Sequence, residues 1–335
     1  MIAFITRRLL LLVPVLLGVT VVTFTLTRII PGNPIDLMVS PLASAETRER
    51  IAENAGLNDP LWVQYFRYIG GVTRGDFGDS FVTDQPVLAD LTSRFMPTFE
   101  LTLFAMLLAV ILAVPLGIAS AVWRGTWIDH VSRLLAVFGV AMPVFWVSLV
   151  AIYVFFFLLN WLPAPQGRIG VIITPPATIT GLYTVDALLT GDWKALRSSV
   201  QSIVLPASVL AFAAMAPLAR MTRASMIEAL DADYTRAARA LGLSERSVVF
   251  RHALRNAILP VITMIAIVYG YLLGGVVLVE NVFAWPGLGR YVYNAIASSD
   301  YPALQGFILY STTAYVLLFL LVDILYVILD PRVRI

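Results

Sequence analysis

Six stretches of the chain contain no Asp, Glu, Lys or Arg: those between Arg8 and Arg28, Glu100 and Arg124, Arg133 and Arg168, Arg197 and Arg220, Arg255 and Glu280, and Asp300 and Asp323. They run for 19, 23, 34, 22, 24 and 22 residues. Crossing a bilayer as a helix takes roughly 20 mostly apolar residues, because the hydrocarbon core is about 30 Å thick and the helix rises about 1.5 Å per residue. The pattern therefore predicts an all-α polytopic membrane protein with six transmembrane helices. The third stretch exceeds one crossing, and Asn160, Pro163 and Pro165 predict that its helix ends near residue 160. Two segments interrupt the apolar pattern. Residues 31–96 form an insertion between spans 1 and 2, and residues 220–258 a loop between spans 4 and 5. Both belong to one transmembrane domain, 1–335.

Within the first insertion, Ser44 followed by Glu46 and Glu49 predicts a capped helix over 44–53, stopped by Gly56. Trp62, Tyr65, Phe66 and Tyr68 then cluster ahead of Gly70-Gly71. They fit either a small core packed on the membrane surface or a docking face for an external partner. In the second loop, Asp231 or Asp233 is placed to cap an Ala-rich helix running to Leu241, and Gly242 stands where a left-handed residue would end it. Ser244 can cap a second helix, with Glu245 at its positive end. That helix brings Val248, Val249 and Leu254 near one another, with Arg246, Arg251 and Arg255 interspersed. Such an element suits the lipid surface or a groove on a partner protein equally well.

Composition agrees with the membrane reading. Only 13% of residues are charged and 59% are hydrophobic, where soluble domains carry about 25% charged residues. Charge also orients the chain, since short loops rich in Arg stay in the cytoplasm. The N-terminus, the 124–133 turn, the 220–255 loop and the C-terminus hold 13 Arg against 6 acids; the remaining loops hold 10 basic against 14 acidic residues. Both termini are expected in the cytoplasm, and the 31–96 insertion outside. Thr6-Arg7-Arg8-Leu9-Leu10 partly echoes a twin-arginine export signal, but no Ala-x-Ala site follows the long apolar run, so span 1 is expected to be retained.

Candidate chemistry is sparse. The single lysine, Lys194, lies outside any G-x-x-x-x-G-K-[ST] pattern, which argues against a P-loop. There is no Cys, and His130 and His252 are isolated, so thiol chemistry and a metal cluster are not expected. Nothing resembles a nucleic-acid-binding charge run. For an intramembrane enzyme the candidates are Gly78-Asp79-Ser80, which lacks the G-x-S-x-G pattern, and Asp323, the only carboxylate well inside a span. A passive channel would not need the two-helix loop. The 161–197 loop shows no recognisable chemistry. Gly270 and Gly274, with Gly275 beside them, form a small-xxx-small pair that predicts close helix packing, inside this chain or against a partner or the pathway. Asp323 is expected to face protein or water.

At the 229–260 loop the chain resembles a known family. Ala-Arg-Ala-Leu-Gly-Leu-Ser, then Arg-His-Ala-Leu-Arg-Asn-Ala-Ile-Leu-Pro, is similar to the EAA loop of bacterial ATP-binding-cassette importers, in the form found in dipeptide and oligopeptide permeases. The likeness extends over almost the whole chain. It includes Ile-Pro-Gly-Asn-Pro, Gly-Leu-Asn-Asp-Pro, Gly-Asp-Phe-Gly-Asp-Ser, Met142-Pro-Val-Phe-Trp146, Arg220-Met-Thr-Arg223, Phe283-Ala-Trp-Pro-Gly-Leu-Gly289, Asp300-Tyr-Pro and Asp330-Pro-Arg-Val-Arg. Where the general motif starts Glu-Ala-Ala, this chain has Arg236, Ala237 and Ala238, a change shared by the peptide-permease branch.

The resemblance implies a type I importer permease fold in the bacterial inner membrane. It implies a homologous second permease, two ATPase subunits that bind ATP and Mg, and an external solute-binding protein. No cofactor is expected on this chain. The implied coupling loop comprises Arg236, Ala237, Ala238, Gly242, Ser244, Glu245, Arg246, Arg251, His252 and Arg255, seated in an ATPase groove. Implied substrates are di- or oligopeptides; antimicrobial peptides, glutathione or nickel are alternatives within the same architecture.

Overall fold

A computed structural model of the chain describes residues 2–29, 44–54 and 58–329. The Pro-Gly-Asn-Pro run, Gly56 and the Asp330-Pro-Arg-Val-Arg ending lie outside the described residues. The described chain is helical, with one isolated bridge, Asp79 to Pro86, as its only extended pairing. Its elements are α1 (Ile2–Ile29), α2 (Ala45–Asn54), α3 (Leu61–Val72), α4 (Val87–Val122), α5 (Trp127–Ala141), α6 (Val144–Ala151), α7 (Tyr183–Thr190), α8 (Trp193–Asp231), α9 (Asp233–Ala240), α10 (Glu245–Ser247), α11 (Leu254–Gly275), α12 (Val277–Val282), α13 (Leu288–Ala297) and α14 (Tyr301–Leu329). Wide π turns over Ile152–Leu158 and Val248–Ala253 extend α6 and join α10 to α11.

Among the described residues, five stretches are long and apolar enough to cross a membrane: α1, α4, α8, the run from Glu245 to Gly274, and α14. The third expected span is the exception. It is not one helix but a pair, α5 and α6, bent by 104°, and the pair makes the sixth crossing only if it acts as one broken span. The bend lies at Met142-Pro143. Proline disfavours the helical region for the residue before it, and Met142 is extended, with φ −85° and ψ 129°. The far end behaves as expected: the π turn stops at Leu158, and Asn160 takes a left-handed φ of 52°.

Two other boundaries move. The last ten residues of the expected 31–96 insertion belong to α4, which at 36 residues is about 54 Å long and outruns any hydrocarbon core. Likewise α8 continues to Asp231, so the first third of the 220–258 loop is an extension of span 4.

The chain divides into two units, residues 1–96 with 287–335, and residues 97–286. In the first, α1 turns a stripe of Thr20, Thr23, Phe24 and Thr27 inward, at the i, i+3, i+4, i+7 spacing of one helix face. Gln305 of α14 donates to the Thr27 hydroxyl at 2.6 Å. The start of α4 packs Val87 and Leu91 on Leu288, Tyr291, Ala295 and Ala303. The Gly-Asp-Phe-Gly-Asp-Ser motif ends on Ser80, which donates to the buried Asp300 carboxylate at 2.6 Å. Asp300 also accepts from the Ala303 amide, capping α14.

In the second unit α8 is the core helix. Some 61% of its apolar window is buried, its neighbours include α5, α6, α7 and α11, and α4 approaches it at Gly117. Gly117 sets the approach of α4 to α8: a Cβ there would stand 2.6 Å from Thr222 Cβ and 2.8 Å from the Ala219 carbonyl oxygen.

Candidate functional site

The 229–260 segment folds as a helix, a glycine turn and a second helical start. Ala232 breaks α8 from α9 with an extended ψ of 151°. Neither Asp231 nor Asp233 caps α9 through its side chain; Asp233 sits in the first turn and pairs with Arg236. The Thr235 hydroxyl instead donates back to the Ala229 carbonyl at 2.6 Å, which fixes the α8–α9 corner. Gly242 has φ +79°, the left-handed conformation expected of it, and the space around its missing side chain is open. Ser244 accepts from the Ser247 amide, and Glu245 closes the turn by pairing with Arg239 at 2.9 Å.

The second helix is not a separate element. Its first turn, α10, runs through the π turn directly into α11, so the expected surface helix is the beginning of span 5 itself. Its apolar side is anchored: Val249, Ala253 and Ala257 pack with Ile118, Ala121, Met226 and Ala229, and Leu254 lies against them. The opposite side stays free. Ala237, Arg246, Arg251 and Arg255 are exposed, as are Leu241 at 81% and Phe250 at 56%, whereas Ala238 is buried and His252 half-buried. The arrangement is a corner packed on its apolar side that presents Leu241, Phe250 and three arginines outward.

Close to this corner lies a cluster the sequence did not reveal. Asp129, 1% exposed, receives both Nε and Nη2 of Arg223 at 2.7 and 2.9 Å, the Ser120 hydroxyl at 2.7 Å and the Gly125 amide at 3.1 Å. One carboxylate thus ties α4, α5 and α8 together. Arg220-Met-Thr-Arg223 was legible as a motif, but only the folded chain pairs Arg223 with a residue 94 positions away.

The 161–197 loop, featureless as sequence, supplies a second cluster. Arg168 donates to Glu100 at 2.6 Å and to the Gly181 carbonyl at 2.7 Å, and its guanidinium lies 3.6 Å from the centre of the Tyr183 ring. Glu100 also accepts from the Thr184 amide and hydroxyl at 2.8 and 2.7 Å. Beside it on α4, Thr98 donates to the fully buried Glu280 at 2.6 Å, and Trp285 donates its indole N–H to the Pro97 carbonyl at 2.9 Å. Glu100 and Glu280, read from sequence as span boundaries, are buried acids.

Farther along the loop, Asp186 is buried just outside the spans. Burial by itself raises its carboxyl pKa, but the Thr180 hydroxyl and amide and the Gly181 amide, at 2.6 to 2.9 Å, outweigh it and hold the group below its ordinary value. Of the Gly270–Gly274 pair, Gly274 makes no close contact inside this chain. Gly270 is buried, but a Cβ on Gly274 would meet nothing within 4 Å, and Gly275 closes α11. Asp323 lies on α14, and its side chain is outside the described residues.

Comparison with known proteins accounts for this combination of long helices and a glycine-turned corner. Residues 1–102 match the family described as the N-terminal part of binding-protein-dependent transport system membrane components. Among full-length relatives, the dipeptide transport system permease protein DppB of Alkalihalophilus pseudofirmus is 42% identical over 334 residues, covering all of both chains. The probable D,D-dipeptide transport system permease protein DdpB of Escherichia coli is 44% identical over 96% of this chain and 94% of its own. The glutathione transport system permease protein GsiC of Escherichia coli is 40% identical over 100% and 99%. Residues 113–335, which hold the corner and both buried clusters' α8 and loop partners, match the inner membrane component itself, and the chain belongs to the family of binding-protein-dependent transport system inner membrane components.

Proposed function

We propose that this chain is one permease subunit of an ATP-driven importer of dipeptides or short oligopeptides, supplying half of the pathway across a bacterial inner membrane. The observation that carries the reading is identity of 40–44% along essentially the full length to permeases of dipeptide systems. In this reading a homologous second permease completes the pathway and an external solute-binding protein delivers the peptide. Two separate ATPase subunits bind ATP and Mg and hydrolyse the nucleotide.

The 229–260 corner is the coupling element. Its exposed Leu241 and Phe250, flanked by Arg246, Arg251 and Arg255, suit a groove with an apolar floor and acidic rim on each ATPase. Because its other side is continuous with span 5, a displacement of α10 is transmitted as a rigid-body motion of the spanning helix and needs no flexible joint. The N-terminus, this corner and the C-terminus lie in the cytoplasm.

Uptake of labelled dipeptides into cells lacking this gene, with and without the gene restored, tests the substrate. Restored uptake that excess unlabelled dipeptide abolishes supports the reading. Glutathione transport is the second reading, favoured by the full-length match to a glutathione permease; uptake of glutathione and not of dipeptides would establish it in place of the first.

A further inference from the structure

Helix α3 carries apolar residues on two ridges. Leu61, Tyr65, Tyr68 and Val72, at i, i+4, i+7 and i+11, form the first, and Trp62, Phe66 and Ile69, at i, i+4 and i+7, the second. Tyr65 and Tyr68 of the first ridge pack on α1, while Leu61 at its start is 60% exposed. The Tyr65 hydroxyl shares a hydrogen bond of 3.0 Å with that of Thr20, and the rings of Tyr65 and Tyr68 lie 5.4 and 6.1 Å from that of Phe24. On the second ridge Trp62 and Phe66 are each 67% exposed, and Ile69 is half-buried.

The register on α1 decides what covers that ridge. The apolar window of α1 ends at Thr27, and Phe24 and Thr20 lie three and seven residues before it, or about 5 and 10 Å along the helix axis. Tyrosines of α3 therefore reach well below the top of a membrane-spanning helix. At those depths an interfacial helix inserts its apolar side between headgroups and acyl chains, about 5 to 10 Å deep. The polar arc of α3 is on the far side from the second ridge. Gln64 and Arg67 line an open cleft of about 250 Å³ with Asp76 and Gln305, and Arg67 pairs with Asp59 at 2.7 Å. The cleft opens on that side, and the ridge faces the other way.

We infer that α3 is an interfacial helix whose Trp62–Phe66–Ile69 ridge is immersed in the lipid leaflet bordering the α1–α4 segment. The ridge is thus a lipid contact and not a docking face for a soluble partner. Tryptophan suits the site, since its ring is amphipathic and settles at the level of the headgroups. The 31–96 insertion is then held to the bilayer independently of anything that docks on it, with α1 as its inner wall and lipid as its outer one.

The chain contains no cysteine, so a single introduced thiol can be labelled uniquely on it. Trp62→Cys and Phe66→Cys, each carrying a nitroxide, would be placed in the full chain, purified with its accompanying subunits and reconstituted in phosphatidylethanolamine–phosphatidylglycerol vesicles. Collisional relaxation by oxygen, which concentrates in lipid, is compared with relaxation by a water-soluble nickel chelate. Val22→Cys, on the exposed side of α1, is the lipid reference, and Asn58→Cys, exposed ahead of α3, the water reference. The unsubstituted assembly, labelled in parallel, sets the background from other subunits.

The expected result is an oxygen-to-nickel ratio at 62 and 66 close to that at 22 and several-fold above that at 58. A ratio like that at 58 would overturn the inference in favour of an open water-facing surface. Protection from both reagents would overturn it in favour of a protein partner seated on the ridge. Neither uptake nor ATP turnover enters the measurement, so it stands apart from the test of the transport reading.

Discussion

Glu100 and Arg168 show how a residue pair can hold a loop that has no sequence pattern of its own. Both side chains are under 10% exposed, and the pair is reinforced by Thr184, Gly181 and the Tyr183 ring. Removing one partner of such a pair leaves a buried charge without compensation and costs about 3 to 5 kcal/mol, whereas replacing both is close to neutral. Arg168→Met is therefore expected to lower thermal stability in detergent strongly, and the double change Glu100→Gln with Arg168→Met to recover most of the loss. Equal losses in the single and double variants would show that the loop is held elsewhere.

Asp186 contributes in a pH-dependent way. Its folded pKa is held below the ordinary carboxylate value of 3.8, so the carboxylate is stabilising above that pH, and the contribution fades as pH falls through the folded value. Thermal unfolding of the parent and of Asp186→Asn between about pH 6 and pH 2 checks this. The parent's advantage should be constant above pH 4 to 5 and shrink below it; a constant difference throughout would contradict the assignment.

Among the elements, the corner formed by α9, Gly242 and α10 has the clearest division between strain and packing. A side chain at Gly242 meets open space, so its cost is conformational: about 1 kcal/mol or more for a β-branched residue at φ +79°. Gly242→Val should leave the chain in the membrane but turn α10 away from its present direction. The expected outcome is weaker recovery of the ATPase subunits on co-purification, or turnover that loaded binding protein no longer stimulates. Gly242→Asn should be milder, since Asn tolerates the left-handed region. Unchanged recovery and stimulated turnover in Gly242→Val would show that the corner is not the coupling element.

For the whole molecule, the asymmetry of loop charge makes a definite statement about sides. With 13 Arg against 6 acids on one set of loops and 10 basic against 14 acidic residues on the other, the first set is expected in the cytoplasm. A reporter enzyme active only outside the cytoplasm should give signal when fused after Asp76 and none when fused after Ser247. Reversed signals would invert the orientation and remove the basis for placing the coupling corner beside the ATPases. The bend between α5 and α6 does not disturb the assignment if the pair crosses once. A re-entrant pair would return the chain to its starting side and place α7 and Ser247 opposite to what is proposed.

Five of the spans, the glycine turn at 242 and the Ser244 cap were legible in the sequence because each rests on local chemistry. An apolar run must be helical in lipid to satisfy its own backbone, and a left-handed position after an Ala-rich helix favours glycine. The family was legible for the same reason, since its motifs are contiguous. What tertiary structure alone decided involves residues far apart in the chain. The pairing of Arg223 with Asp129, the burial of Glu100 and Glu280 and the approach of α4 to α8 at Gly117 depend on partners that no local window contains. The break at Met142-Pro143 was written in the sequence as a proline. Whether that proline kinks a span or folds it back by 104° depends on what the two halves pack against. Charge patterning could mark where an apolar run ends, but a carboxylate at such an end can face water or be drawn into the protein. Hydrogen bonds from Thr184, Thr98 and Arg168 drew Glu100 and Glu280 inside.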